Sequence, residues 1–143
     1  MADERVLHVE VVTPDGEVYS DDVAMVVVPG VDGEIGILPR HQPLVTLLGI
    51  GETRIRRLDD EWDYLATGIG YAQVLFDKVL VVVDHAELAG AIDVARAEEA
   101  LRRAKERLER AQDPAARAEI DFFRAEQALR RAENRLRVAR RAR

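Results

Sequence analysis

The chain has 143 residues, 48% hydrophobic and 34% charged, which fits one domain or one domain with an appendage and excludes wholesale disorder. No apolar run reaches the roughly 18 to 20 residues that cross a bilayer, and the start lacks signal-peptide features, so we expect an intracellular protein. Because there is no cysteine and the three histidines are scattered, disulfides and a protein-only metal site are not expected.

The net charge of -6 is divided unevenly along the chain. Residues 1–90 carry 6 basic and 17 acidic side chains, whereas residues 91–143 carry 15 basic and 10 acidic ones. The acidic half disfavours nucleic acid as a partner, while the basic half suits an acidic protein or a phosphorylated ligand. A well-solvated helical face would carry the same charges, and that alternative stays open.

The first 90 residues are typical of short β-strands separated by turns. Thr13-Pro14-Asp15-Gly16 is a turn sequence, and Asp59-Asp60 and Asp77-Lys78 are predicted hairpin turns. Predicted strands cover Val6–Val12, Val23–Val28, Ile35–Leu38, Leu44–Leu47, Thr53–Arg57, Glu61–Ala66, Tyr71–Phe76 and Val79–Val83. Strands of this length and spacing predict an antiparallel β-sandwich or flattened barrel.

The rest of the chain contains a repeated helical segment. IDVARAEEALRRAKERL at Ile92–Leu108 recurs as IDFFRAEQALRRAENRL at Ile120–Leu136, with twelve of seventeen positions identical. Helix one is predicted to begin at Asp93, an N-cap residue, and to end near Gln112. Asp113-Pro114 supplies a second N-cap, so helix two is predicted to run from there to about Ala139. The second copy would then lie inside helix two as structural repetition.

Alanine and leucine stripes on both predicted helices indicate close antiparallel packing, because the connecting turn is short. The sequence therefore predicts an α+β fold: an N-terminal antiparallel β-sandwich or flattened barrel at residues 1–88 and a C-terminal antiparallel two-helix hairpin at residues 91–143. A two-helix hairpin buries little apolar surface, so we expect this segment to be the less stable part.

Folding the hairpin about residues 112 and 113 brings the start of helix one near the end of helix two. Asp93 and Arg96 would then lie beside Arg131 and Arg135, which are one turn apart. Guanidinium groups near a helix N-terminus could bind a phosphate-bearing ligand. The same arginines could instead form weak surface ion pairs, which spacing alone favours.

No catalytic residues are predicted. The chain has no phosphate-binding GxxxxGK[ST] loop and no recognisable arrangement of nucleophile, base and orienting residue. Asp21-Asp22 and Asp59-Asp60 are interpreted as turn residues. A soluble binding module whose arginine-rich hairpin binds an acidic protein or RNA remains an alternative, and salt-sensitive binding would favour it.

The run VVTPDGEVYSDDVAMVVVPGVDGEIGILPRHQPLV at Val11–Val45 resembles the epsilon subunit of bacterial F-type ATP synthases. The resemblance extends from about Leu7 to Arg140 and implies a β-sandwich followed by a helical hairpin. It also implies a noncatalytic rotor-stalk subunit that couples the catalytic head to the c ring and inhibits ATP hydrolysis through its hairpin. Glu34 and His41, in GEIGILPRHQP, match positions that face the c ring, and Arg40 stands where many members have glycine.

Some members of that family bind ATP through an IDxxRA motif and arginines on the second helix. Ile92, Asp93, Arg96 and Ala97 match the motif, Arg131 and Arg135 match the arginines, and Glu87 matches an acidic position before the hairpin. These residues include the groups that hairpin geometry brings together, so the resemblance favours a regulatory ATP site over surface ion pairs. No cofactor is required, and ATP is expected as a regulatory ligand.

The resemblance also implies the partners. They are the gamma subunit, the c-ring subunits and, in the inhibitory state, the alpha and beta catalytic subunits. Contact with the membrane would occur only through the complex, at the cytoplasmic face of the bacterial cell membrane. The isolated subunit is expected to be a monomer that binds no nucleic acid.

Overall fold

The computed structural model describes residues 6–117 and 121–142. One compact unit ends at Ala89, and a second begins at Gly90. Ile120, the first residue of the second repeat copy, lies outside the described residues.

The first unit contains nine strands arranged as one continuous, partly closed sheet. They are β1 (Leu7–Thr13), β2 (Gly16–Gly30), β3 (Gly33–Ile37), β4 (Leu44–Leu48), β5 (Gly51–Arg57), β6 (Trp62–Thr67), β7 (Gly70–Leu75), β8 (Lys78–Val83) and β9 (Ala86–Leu88). The order is β1-β8-β7-β4-β2-β5-β6-β9, with β3 paired to β2. The predicted β-sandwich is confirmed, and its strands pair antiparallel except for the parallel pair β1–β8.

Strand β2 closes this sheet because it is long enough to pair with strands of both layers. Its first part pairs with β1, and its second part pairs with β3 and β5, with a register shift in the β5 pairing between Val23 and Met25. Such irregularities bend a strand and increase its twist. Alternate side chains of β1, Leu7, Val9 and Val11, point inward and are fully buried, as the period of two requires.

The strand predictions were wrong in three places. Strand β2 starts at Gly16 rather than Val23, because polar residues 16–22 pair with β1. The short strand β9 and the 3-10 turn after it (Ala89–Ala91) were missed, since three half-buried residues give too little periodicity. The β7–β8 hairpin turns at Phe76-Asp77 rather than Asp77-Lys78.

The second unit contains α1 (Val94–Arg110), α2 (Pro114–Arg117), α3 (Phe122–Ala139) and a final 3-10 turn (Arg140–Ala142). Helices α1 and α3 pack against each other, and alanines recur at seven-residue intervals among their buried positions. These alanines are Ala97 and Ala104 on α1, Ala111 at its C-cap, and Ala125 and Ala132 on α3, where Asn134 and Val138 are buried as well. The predicted helical hairpin is confirmed, since small side chains let two backbones approach closely.

The predicted start of helix two was wrong. Pro114 opens only the four-residue helix α2, and α3 begins at Phe122. Asp121 is the N-cap of α3, and its carboxylate accepts a hydrogen bond from the Arg124 backbone N–H at 3.0 Å. The second repeat copy therefore begins a helix, because aspartate caps a helix there just as it does in the first copy.

Candidate functional site

Apolar side chains cover part of the outside of the sandwich. Val45 and Leu47 of β4 are 67% and 65% exposed, and Tyr71 of β7 is 38% exposed. The strand register aligns Leu47 with Tyr71 and then Val82, and it aligns Val45 with Gln73 and then Leu80. Directly paired residues share one face of a sheet. We call Val45, Leu47, Tyr71, Leu80 and Val82 the outer apolar face.

The exposed apolar side chains of this face are neighbours rather than isolated residues. Exposed apolar side chains that are contiguous usually mark a surface that binds another macromolecule. Its charged neighbours include Lys78 at the start of β8 and Glu10 of β1, which pairs in register with Leu80, and these two form an ion pair at 2.9 Å. That hydrogen-bonded ammonium group lowers the pKa of the Glu10 carboxyl. A partner docking here would therefore remove mainly apolar surface from water.

The loop that contains His41 follows β3 and is tied to the β7–β8 hairpin. Arg40 has φ 68°, a left-handed conformation that glycine adopts more readily than other residues. The Arg40 backbone N–H donates to a carboxylate oxygen of Asp77 at 2.5 Å. His41 is half-buried, and its Nδ1 lies 2.8 Å from the Gln42 carbonyl oxygen. This contact orients the imidazole ring.

Glu34 lies at the start of β3 and is exposed. Its carboxylate forms an ion pair with Arg54 of β5, with 3.1 Å between Arg54 Nη1 and Glu34 Oε2. Arg54 also lies 3.7 Å from a carboxylate oxygen of Glu52. Both predicted c-ring residues, Glu34 and His41, are thus on the sandwich and accessible to solvent, and their predicted role stays a prediction.

The two repeat copies start their helices with the same geometry. The Asp93 carboxylate accepts from the Arg96 N–H at 3.0 Å, and Asp93 has φ -80° and ψ 99°. The corresponding contact of Asp121 is also 3.0 Å, with φ -78° and ψ 96°. Each carboxylate satisfies one of the amides that a helix leaves unpaired at its start.

The structure places the predicted ATP-site residues on several elements. Ile92 and Ala97 are buried beside the Asp93 cap, whereas the Arg96 side chain is exposed. Arg131 and Arg135 are half-buried on α3. Glu87 lies in β9 of the first unit, half-buried and paired in register with Ala66.

The longer connection changes how helices α1 and α3 are expected to face each other. Residue 116, rather than residues 112 and 113, is midway between the end of α1 and the start of α3. A hairpin folded about residue 116 would put Arg135 near Ala97 in the first turn of α1, and Arg131 about one turn further along, near Leu101. On that geometry Arg135 would lie nearer to the motif than Arg131.

The sequence reasoning missed the outer apolar face. The signal was present in β4, whose sequence LVTLL is apolar on both faces although β4 is half-exposed. An ordinary antiparallel strand with one solvated face alternates apolar and polar residues. Apolar residues on the solvated side therefore indicate a surface that another molecule covers.

Both units match domains of known proteins. Residues 6–89 match the family described as ATP synthase, Delta/Epsilon chain, beta-sandwich domain, and residues 91–140 match its long alpha-helix domain. The chain belongs to the ATP synthase delta/epsilon family. As a member of that family, it is a noncatalytic subunit of ATP synthase.

Bacterial relatives in this family are similar over most of the chain. The ATP synthase epsilon chain of Halalkalibacterium halodurans is 50% identical over 106 residues, covering 74% of this chain and 79% of the relative. That of Pelotomaculum thermopropionicum is 47% identical over 105 residues, covering 73% and 78%. A chain in the Euglena gracilis mitochondrial ATP synthase structure shares the fold, with a TM-score of 0.75, 21% identity, and coverage of 91% and 79%.

The described residues contain neither a membrane-spanning helix nor a metal-binding cluster. No helix among residues 6–117 and 121–142 is long and apolar enough to cross a membrane. Within those same ranges, no cluster of three or more histidine and carboxylate side chains could hold a metal ion.

Proposed function

We propose that the chain is a rotor-stalk subunit that couples the catalytic head of an F-type ATP synthase to the c ring and binds the gamma subunit through its outer apolar face. The exposed face centred on Val45, Leu47 and Tyr71 carries this proposal, because a stalk subunit must hold a partner through a large dry surface. In this proposal the protein is a monomer when isolated and is peripheral at the cytoplasmic face of the bacterial cell membrane, reached only through the complex.

Gamma binding can be tested by placing a charge on this face. Val45→Asp should weaken binding to purified gamma subunit at least tenfold, because the carboxylate would have to lose its water on docking. Leu58, in the β5–β6 turn, is similarly exposed at 57%, so Leu58→Asp is a matched control. Equal binding by both variants would show that gamma uses another surface.

For the c ring, Glu34 and the His41 loop are the proposed contacts. The Glu34–Arg54 pair presents a carboxylate in a fixed position, and the Arg40–Asp77 hydrogen bond fixes the loop before His41. The double variant Glu34→Ala and His41→Ala should reduce binding to isolated c rings. Glu17→Ala, which removes an exposed carboxylate elsewhere, should not.

The helical hairpin is the proposed regulatory element. Asp93, Arg96, Arg131 and Arg135 would bind ATP in the folded hairpin, with Ile92 and Ala97 packing beneath them. An extended hairpin would instead bind alpha and beta subunits and inhibit ATP hydrolysis. Changing such an equilibrium from 1:99 to 99:1 needs about 5.5 kcal/mol of differential binding, which a few charge-assisted hydrogen bonds to phosphate could supply.

The interface between α1 and α3 supports a hairpin that can open. Alanine supplies most of the buried positions of these helices, and each alanine contributes less apolar area than leucine or isoleucine. The short helix α2 interrupts the connection between the long helices. Few buried apolar contacts mean a low free energy of local opening.

Calorimetric titration with ATP tests the switch. The parent protein should release heat, and the double variant Arg131→Ala and Arg135→Ala should not. Arg130→Ala combined with Arg140→Ala is the control, since both are exposed and the change in charge is the same. Absence of heat from the parent would end the ATP proposal while leaving the stalk role intact.

Inhibition requires a separate test in the assembled complex. Truncation after Gly90 removes the helical unit and keeps the sandwich unit. We expect a higher rate of ATP hydrolysis from the complex that contains the truncated subunit. An unchanged rate, with normal incorporation of the truncated subunit, would show that the hairpin does not inhibit.

A further inference from the structure

Backbone strain is concentrated at the tip of the β7–β8 hairpin. Four non-glycine residues of the described chain have positive φ, namely Arg40, Asp60, Phe76 and Asp77. Three of these belong to one place, because the Asp77 carboxylate accepts the Arg40 N–H. Strain that clusters in this way is typical of binding sites, where the surrounding structure is used to hold a special geometry.

Phe76 is the most unusual member of this cluster. Phe76 and Asp77 have φ 49° and 59° and form a two-residue turn, which asparagine and glycine normally occupy. A bulky aromatic residue is a genuine outlier in this conformation. Phe76 is 90% exposed, so packing within the chain does not offset the strain.

A groove begins beside the Phe76 ring. Its lining residues are Gln73, Leu75, Phe76, Lys78 and Leu80, and its volume is about 340 Å³. The aliphatic carbons of this lining and its open shape suit one or two side chains of a protein better than an enclosed small molecule. Gln73 pairs in register with Leu80 on one side and with Val45 on the other, so the groove continues the outer apolar face.

We propose that Phe76 is an anchor residue for the gamma subunit, with the strained turn holding its ring over an apolar gamma side chain that enters this groove. The proposal rests on gamma binding to the outer apolar face. Two features favour an apolar occupant over a charged one. The groove walls are largely hydrocarbon, and Lys78 at its edge is already paired with Glu10. Aromatic anchors beside a pocket commonly dominate the binding energy of an interface.

The decisive variant is Phe76→Asn in the full-length chain. Asparagine tolerates positive φ, so the turn is kept while the ring is lost. We expect affinity for purified gamma subunit to fall about tenfold to a hundredfold, as removal of a buried aromatic ring predicts. The melting temperature should stay equal or rise, because strain is relieved. Phe76→Tyr, which keeps the ring, should bind within about threefold of the parent.

Parallel measurements separate this inference from the broader proposal. Leu58→Asn controls for loss of an exposed apolar side chain and should bind gamma normally. If Val45→Asp weakens gamma binding but Phe76→Asn does not, Phe76 is not an anchor, although the outer apolar face still binds gamma. If neither variant matters, both proposals fail. Loss of binding to isolated c rings with unchanged binding to gamma would also overturn the inference.

Discussion

Replacement of each helix cap by alanine separates the two copies of the repeated motif. Asp93 and Asp121 each accept one backbone N–H at 3.0 Å, so Asp93→Ala and Asp121→Ala remove the same contact. Loss of an aspartate N-cap costs about 1 kcal/mol, within a range of roughly 0.5 to 2. At about 1.4 kcal/mol per factor of ten, the opening equilibrium of the hairpin should rise about fivefold in both variants.

Hydrogen exchange of helix amides in the full-length chain measures this opening directly. Amides of α1 and α3 should exchange about fivefold faster in either variant, while amides of the sandwich keep their rates. Asp93→Asn and Asp121→Asn should stay near the parent, because asparagine caps almost as well as aspartate. Unchanged exchange in Asp121→Ala would mean that the second cap does not form in solution.

ATP titration of the same variants then tests the proposed site. Asp121→Ala should weaken ATP binding by no more than its effect on hairpin stability. Asp93→Ala should weaken binding much further, because its carboxylate belongs to the proposed site as well as to the cap. Asp93→Asn distinguishes the two roles, since it keeps the cap and removes the charge. Equal ATP affinity in the two alanine variants would refute the assignment of Asp93.

Three predictions concern the sandwich. Ile55→Ala should lower the free energy of unfolding by about 2 to 5 kcal/mol in urea, because Ile55 is fully buried. Gly70→Ala should lower the melting temperature, since its new Cβ would lie 1.9 Å from the Val82 carbonyl oxygen, and an unchanged value would contradict the register there. Burial, and then the hydrogen bond from the Tyr19 hydroxyl to Asp63 at 2.6 Å, raise the pKa of Tyr19. The neutral hydroxyl stabilises the fold below the unfolded pKa of about 10, and this contribution is lost as pH rises above it. Tyr19→Phe should therefore lose less stability than the parent between pH 9 and pH 11.

Most of the fold could be predicted from local sequence patterns. Alternation in β1 and the capped, alanine-rich helices could be interpreted from the sequence because burial and capping leave direct traces in it. The full length of β2 could not, because residues 16–22 are polar and their pairing with β1 depends on tertiary contact. Strand β9 was missed for a related reason, since three residues contain too little pattern to be distinguished from a loop.

The candidate sites were only partly accessible to sequence reasoning. Asp93 and Arg96 could be singled out because an N-cap and the next basic residue are local features. The ion pair between Glu34 and Arg54, and the hydrogen bond between Arg40 and Asp77, join residues that are 20 and 37 positions apart. Such contacts depend on strand order, which composition and periodicity do not determine. The exposure of Phe76 likewise depends on a turn that Phe-Asp would not normally form.

The second cap changes what the repeated motif can mean. If an IDxxRA sequence at a helix start were sufficient for ATP binding, the matching caps at Asp93 and Asp121 would make two equivalent sites. If ATP binds at only one of the two copies, the difference must come from the residues that face each cap rather than from the motif. For the first copy, Arg135 is expected to face that turn, and Arg131 lies one turn before it on α3. The second copy begins beside α2, where Arg117 is held over the Phe122 ring at 5.2 Å. Arginines on α3, more than the motif itself, therefore determine the proposed site.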